Sequence, residues 1–75
     1  MGRMKELYTK LPENVLENIE GFRNYYKILK EAKDDVTRAE VYERIGGYVL
    51  GLKDAGIVTE VERNYLRYYM IGREE

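Results

Sequence analysis

Carboxylates, amines, guanidiniums and the hydroxyls of tyrosine and threonine are the groups in this 75-residue chain that could do chemistry. There is no histidine, cysteine or serine. The usual general base at neutral pH and the usual nucleophiles are therefore missing. What remains is carboxylate chemistry, which needs two acids held in environments that separate their pKa values. Glu13, Glu17 and Glu20 share one face at helical spacing, as do Glu40 and Glu43. Rows of this kind on amphipathic helices are expected to be solvated surface. Asp34-Asp35-Val36-Thr37-Arg38 lacks the alternating ligands and the glycine of a calcium loop. Gly46-Gly-Tyr-Val-Leu-Gly51-Leu52-Lys53 has the lysine one place late for a phosphate loop, with no Ser or Thr after it. No catalytic, cofactor-binding or metal-binding residue is expected, no cofactor is implied, and the chain is not expected to be an enzyme.

The charge balance narrows the partners. Thirteen basic and fourteen acidic residues leave a net charge of −1. No segment is basic enough to neutralise a run of phosphates, the interaction that supplies most non-specific affinity for nucleic acid. The most basic feature is a row on one predicted helix, Arg23, Lys27, Lys30 and Lys33, preceded by Glu13, Glu17 and Glu20. Acid-first, base-last order complements the helix dipole. It would equally let two copies lie antiparallel around a two-fold axis. No apolar run approaches the roughly 18 residues of a membrane span. Met1-Gly2 is followed by Glu6 where a myristoylation start needs Ser or Thr. A cytoplasmic protein without a membrane association is expected, and absent cysteine fits a reducing compartment.

The elements that must position these groups are helical. Apolar residues recur at spacings of four and three: Val15, Ile19, Phe22, Tyr26, Leu29; then Val41, Ile45, Tyr48, Leu52, Ala55; then Val61, Tyr65, Tyr68. Nothing alternates with period two. The spacing predicts a single all-α domain over residues 1–75, a small antiparallel three-helix bundle with helices near 12–33, 38–55 and 60–71. Met4, Leu7, Tyr8 and Leu11 also stand at helical spacing and admit a short extra N-terminal helix.

The boundaries carry mechanisms. Thr37 with Glu40, and Thr59 with Glu62, match the capping box, with Val36 and Val41 placed as a hydrophobic staple for the first of them. Gly56 can take the left-handed conformation that closes a Schellman cap, folding Ile57 back on Leu52, and Gly72 offers a second stop. Pro12 suits a first helical turn, or Asn14 with Glu17 caps instead. Gly21 interrupts the first long helix with a residue about 1 kcal/mol poorer than alanine, and a kink or break there is one expectation. Gly47 and Gly51, four apart in the middle helix, are expected to let a neighbouring helix cross closely inside the bundle; the other reading is a groove that accepts a partner's helix.

Eight tyrosines against one phenylalanine is the unusual feature of the composition. Tyr25-Tyr26 and Tyr68-Tyr69 are adjacent, and neighbours on a helix point about 100° apart, so both members cannot enter one core. Tyrosine and arginine are enriched at interface centres. The expected function is a small non-enzymatic module that binds a protein partner, or itself as a homodimer, through a tyrosine-rich helical surface of Tyr65, Arg67, Tyr68 and Tyr69. The alternative is a nucleic-acid accessory protein using Arg23, Lys27, Lys30 and Lys33 as a phosphate stripe.

Two resemblances bear on this. Thr59–Tyr69 resembles the opening helix of the helix-turn-helix in bacterial sigma factors, in its threonine cap, Glu-Arg pair and Leu-Arg-Tyr ending. That motif needs a second helix in the major groove, which Gly72-Arg73-Glu74-Glu75 does not supply, so a capped amphipathic helix is expected. Residues 41–63 resemble short proteins encoded in prophages and mobile elements of gut Firmicutes. The shared pattern is Gly-Gly-Tyr, Asp-Ala-Gly and Thr-Glu-x-Glu-Arg, here at Gly46, Asp54 and Thr59. This resemblance covers the helical hairpin and implies a genomic setting, with no site residues attached to it.

Overall fold

The computed structural model describes residues 2–73, and these form four helices: α1 (Gly2–Lys10), α2 (Glu13–Glu31), α3 (Asp35–Asp54) and α4 (Glu60–Met70). Among the described residues there is no strand. α2, α3 and α4 pack against one another as a three-helix bundle. α3 runs antiparallel to both neighbours, so α2 and α4 are parallel. Tyr48 meets Asn18 and Phe22 near the start of α2, while Arg38 lies over Tyr26 further along. Lys53 similarly meets Glu60, and Tyr42 meets Arg67. The short leading helix is present as α1, and its Met4 and Leu7, with Leu11 just beyond it, are buried in the common core.

That core is wholly apolar among the described residues. Ile19, Ile45, Val49, Leu66 and Met70 are fully buried at its centre. Truncating such a residue to alanine costs roughly 2–5 kcal/mol, a large share of the stability of a domain this small. The first two apolar stripes enter the core with adjustments. Val49 replaces Tyr48 at the centre of α3, Tyr48 is half-buried, and Ala55 is exposed. The third stripe is displaced. Val61 and Tyr68 are 60% and 48% exposed, and Leu66 and Met70 face inward instead. Glu62 occupies the inward register position one turn before Leu66, because its side chain is committed to the cap of α4. That carboxylate breaks the apolar pattern on which the phase was read.

The ends of the helices follow the same mixture. The capping box at Thr59 and Glu62 forms in both directions, at 3.1 and 2.9 Å. Gly56 and Gly72 take φ of 77° and 76°, and each closes a Schellman motif: Ile57 N–H donates to Leu52 O, and Arg73 N–H to Tyr68 O. It is Val58, not Ile57, that is buried beyond Gly56. The box expected at Thr37 and Glu40 does not form. α3 begins three residues earlier, with Asp34 as its cap accepting from Thr37 N–H at 3.1 Å. The staple is absent too, since Val36 is 75% exposed while Val41 is buried. Pro12 caps α2 without a side-chain bond, Asn14 and Glu17 lie inside the helix, and Gly21 neither ends nor breaks it. α2 stops at Glu31, and Lys33 takes a φ of 60°. Asp34 N–H then donates to Leu29 O, a Schellman cap with lysine where glycine is usual.

Nothing beyond the adjacent backbone of α3 comes within 4 Å of where a Cβ would stand on Gly46, Gly47 or Gly51. No helix among the described residues crosses them, so the close crossing expected inside the bundle is not its packing mode. α2 and α4 reach α3 over Tyr48, Val49 and Tyr42 instead, and the glycines face outward.

Candidate functional site

Three places bring polar or aromatic groups together. The first is the corner where α1, α2 and α4 meet. Glu20 on α2 accepts from Tyr8 on α1 and, at 2.5 Å, from Tyr69 on α4, both hydroxyls donating to the same Oε2. Arg23, one turn along α2, donates to the Tyr69 carbonyl at 2.6 Å and lies 4.0 Å from the centre of its ring. Tyr65 stacks on Tyr69 at 6.3 Å, with the Arg3 guanidinium of α1 5.8 Å from its ring centre. Burial, and then the carboxylate of Glu20, push the Tyr69 hydroxyl well above the usual tyrosine range. The bond to Glu20 is the main cause of a smaller rise at Tyr8. Both phenols are therefore fixed in the neutral, donating form, suited to holding α1 in place and unsuited to acting as bases. Lys10 completes this attachment, pairing with Glu62 at 2.6 Å. That pair, followed by the Thr59 N–H, lowers the pKa of Glu62.

Glu20 is the residue that sequence reasoning placed wrongly: it is half-buried and doubly hydrogen-bonded, unlike its exposed neighbours Glu13 and Glu17. Its partners lie 12 and 49 residues away, and no local spacing announces them.

The second place is the outer surface of the α3–α4 hairpin. Tyr42 and Lys53 meet α4, and Leu50, eight residues after Tyr42, points about 80° further round α3 towards solvent. Val61 and Tyr68 lie seven apart on the outward side of α4. Tyr42, Leu50, Val61 and Tyr68 are all exposed, the first two by 40% and 43%. Arg67 sits between the helices, donating to the Tyr42 hydroxyl at 3.3 Å and lying 5.6 Å from the Tyr68 ring centre. Its Nε is shielded from solvent with no acceptor among the described residues. Gly46, Gly47 and Gly51 leave the α3 backbone open as well; at about 100° per residue Gly46 falls between Tyr42 and Leu50, and Gly47 and Gly51 lie beyond Leu50, away from α4.

The four residues read from the sequence as one docking surface thus divide. Tyr65 and Tyr69 turn inward to the α1–α2 corner, half-buried, whereas Arg67 and Tyr68 belong to the hairpin surface. Tyr68 and Tyr69 point about 100° apart on the helix, and α4 turns the side that carries positions 62, 65, 66, 69 and 70 towards the rest of the chain.

The third place is the basic row of α2. Arg23 is drawn to Tyr69, and Lys33 lies beyond the helix in the left-handed turn. Lys27 and Lys30 remain exposed on the helix, beside a cleft of about 390 Å³ bounded by Arg23, Tyr26, Glu31, Ile71 and Gly72. Among the described residues no cluster of acidic side chains could hold a metal ion, and no helix is long and apolar enough to cross a membrane.

No family model, curated protein or solved structure matches this chain.

Proposed function

We propose that the chain is a small helical docking module whose partner-binding surface is the outer side of the α3–α4 hairpin. The observation that carries this is the exposure of Tyr42, Leu50, Val61 and Tyr68 around a half-buried Arg67. Tyrosine and arginine are the residues most enriched among binding hot spots. Apolar side chains gathered on one exposed surface, rather than scattered, mark an interaction site. The open glycines support a helical partner. Three residues that cost helix propensity, each by about 0.5–1 kcal/mol, find no compensating contact within the chain. A partner's helix laid against them would supply it, because a missing Cβ lets two backbones approach.

The surface overlaps the sequence-derived one at Arg67 and Tyr68 and replaces Tyr65 and Tyr69 with Tyr42, Leu50 and Val61. A mobile-element setting fits a compact accessory protein that works by occupying another protein's surface. The test is capture of partners from a nuclease-treated host lysate by the wild-type chain and by a Tyr42→Ala, Tyr68→Ala double variant, with circular dichroism establishing that the variant is folded. A partner held by the first and lost by the second supports the reading. Equal capture by both moves the surface elsewhere, and loss of the partner on nuclease treatment of the wild type points to nucleic acid. Sedimentation of the pure chain asks separately whether the same surface pairs two copies.

A further inference from the structure

The cleft beside Lys27 and Lys30 exists because α2 outlasts its neighbour. α2 has 19 residues and α4 has 11, so the parallel pair differ in length by about 12 Å. Tyr69 meets α2 at Glu20 and Arg23, and the chain then turns away at Gly72. The last two turns of α2 are left with one flank uncovered. At that step the wall is apolar, formed by Tyr26 and the buried Ile71, and Gly72 keeps the mouth open. Among the described residues the rim carries Arg23, Lys27 and Lys30 against the one carboxylate of Glu31.

This is a local excess of positive charge on a chain whose net charge is −1. Lys27 and Lys30 are three apart on the helix, so one anion can lie between their ammonium groups. Neither makes an ion pair with another described residue. Arg23 is already committed to the Tyr69 carbonyl and ring, which fixes its charge at the inner end of the cleft. A volume of about 390 Å³ is at the small end of the range that holds discrete organic ligands.

We propose that this cleft binds a small amphiphilic anion, an aromatic or short aliphatic body bearing one phosphate or carboxylate. The apolar body would lie on Tyr26 and Ile71, and the charged group would sit between Lys27 and Lys30. A polyanion fits less well: with Arg23 turned inward and Lys33 off the helix, two exposed lysines make no track along which a phosphate backbone could run. Glu31 would repel the next phosphate. The site is separate from the α3–α4 surface, so it stands or falls independently of the docking function.

The experiment is a titration of the isotope-labelled chain, followed by amide chemical shifts, with four probes: phenyl phosphate, inorganic phosphate, benzyl alcohol and a ten-nucleotide oligothymidine. Phenyl phosphate is expected to shift Tyr26, Lys27, Lys30, Ile71 and Gly72 with a saturable curve. Inorganic phosphate should bind roughly tenfold more weakly for want of the apolar contact, and benzyl alcohol should leave these amides unmoved. A Lys27→Gln, Lys30→Gln variant should lose roughly tenfold or more in affinity for phenyl phosphate. Because both side chains are exposed, the variant's spectrum will report a preserved fold. A Glu31→Gln variant should bind phenyl phosphate more tightly. Equal affinity for phenyl phosphate and inorganic phosphate, or no saturable shift at millimolar probe, would overturn the proposal. So would tighter binding of the oligonucleotide with a steep salt dependence, which would assign the lysines to nucleic acid.

Discussion

The α1–α2–α4 corner and the outer surface of the α3–α4 hairpin are built from the same materials, tyrosine and arginine, and use them in opposite ways. At the corner, Tyr8 and Tyr69 donate to one carboxylate, and Arg23 covers the Tyr69 ring. Both of these hydroxyls have a partner within the chain. On the hairpin surface, Tyr42, Leu50, Val61 and Tyr68 stand in solvent, and the single internal bond joins Arg67 to Tyr42. The difference teaches that tyrosine content by itself does not mark an interface. What separates structural from available tyrosines is whether the hydroxyl has found an acceptor on another element. By that criterion Tyr69 is structural and Tyr68, its neighbour in sequence, is available.

Glu20 is the point on which the corner depends most. Replacing it with alanine removes the acceptor of two tyrosine hydroxyls, one of them half-buried, and is expected to cost about 2 kcal/mol in urea-induced unfolding. A loss below about 0.5 kcal/mol would mean the corner is no more structural than the hairpin surface. Alkaline pH probes the same corner. The Tyr69 pKa is raised on folding, so above about pH 10, the ordinary tyrosine value, the unfolded chain releases a proton that the folded chain keeps. Stability supplied by the neutral phenol is whole below that pH and falls as pH rises past it. Tyr69→Phe should flatten this alkaline decline in a pH series of melting temperatures.

The hairpin surface sharpens the contrast with changes of the other sign. Gly47→Ala is expected to stabilise the free chain by about 0.5–1 kcal/mol, since nothing stands within 4 Å of the added methyl. It should also weaken partner capture, by holding a docked helix away from the backbone. If the variant were destabilised, the open outward face of α3 would be misassigned. Smallest of all, Tyr68→Ala should alter the midpoint of unfolding by less than about 0.5 kcal/mol, as exposed substitutions do. A larger effect would move Tyr68 into the structural class with Tyr69.

Much of the scaffold was legible in the sequence, and the legible parts are those that depend on neighbours along the chain. Val15, Ile19 and Leu29 face the core as their spacing predicts. Thr59 with Glu62, and Gly56 after Ala55, form the caps their residue types specify, because capping is a transaction between groups three to five residues apart. Where two local solutions compete, the sequence misled. Asp34 and Thr37 can each cap a helix, and Asp34 prevailed because it starts α3 one turn earlier and so adds backbone hydrogen bonds to the ladder. Lys33 shows the limit of residue preference. A lysine takes the left-handed position at a cost of about 1 kcal/mol relative to glycine, because the turn into α3 requires it.

Less of the candidate sites was legible. Tyr68 is exposed and Arg67 half-buried beside it, whereas Tyr65 and Tyr69 turn the other way. The phase of α4 was misread because Glu62 interrupts its apolar stripe, and an inward-facing carboxylate gives no apolar signal.

By itself the sequence determined an all-helical chain, three amphipathic stripes that had to meet, most of the turns between them, and the absence of histidine, cysteine and serine chemistry. Only the tertiary structure decided which tyrosines are satisfied and which are free, that Glu20 joins three helices, that the glycines of α3 face solvent, and that α2 outlasts α4 to leave a basic cleft. The physical reason is range. Periodicity and capping act over one or two turns and are written in adjacent residues. A hydroxyl's acceptor, a glycine's neighbour and a cleft's far wall are supplied by segments tens of residues away, whose placement is settled when the core closes.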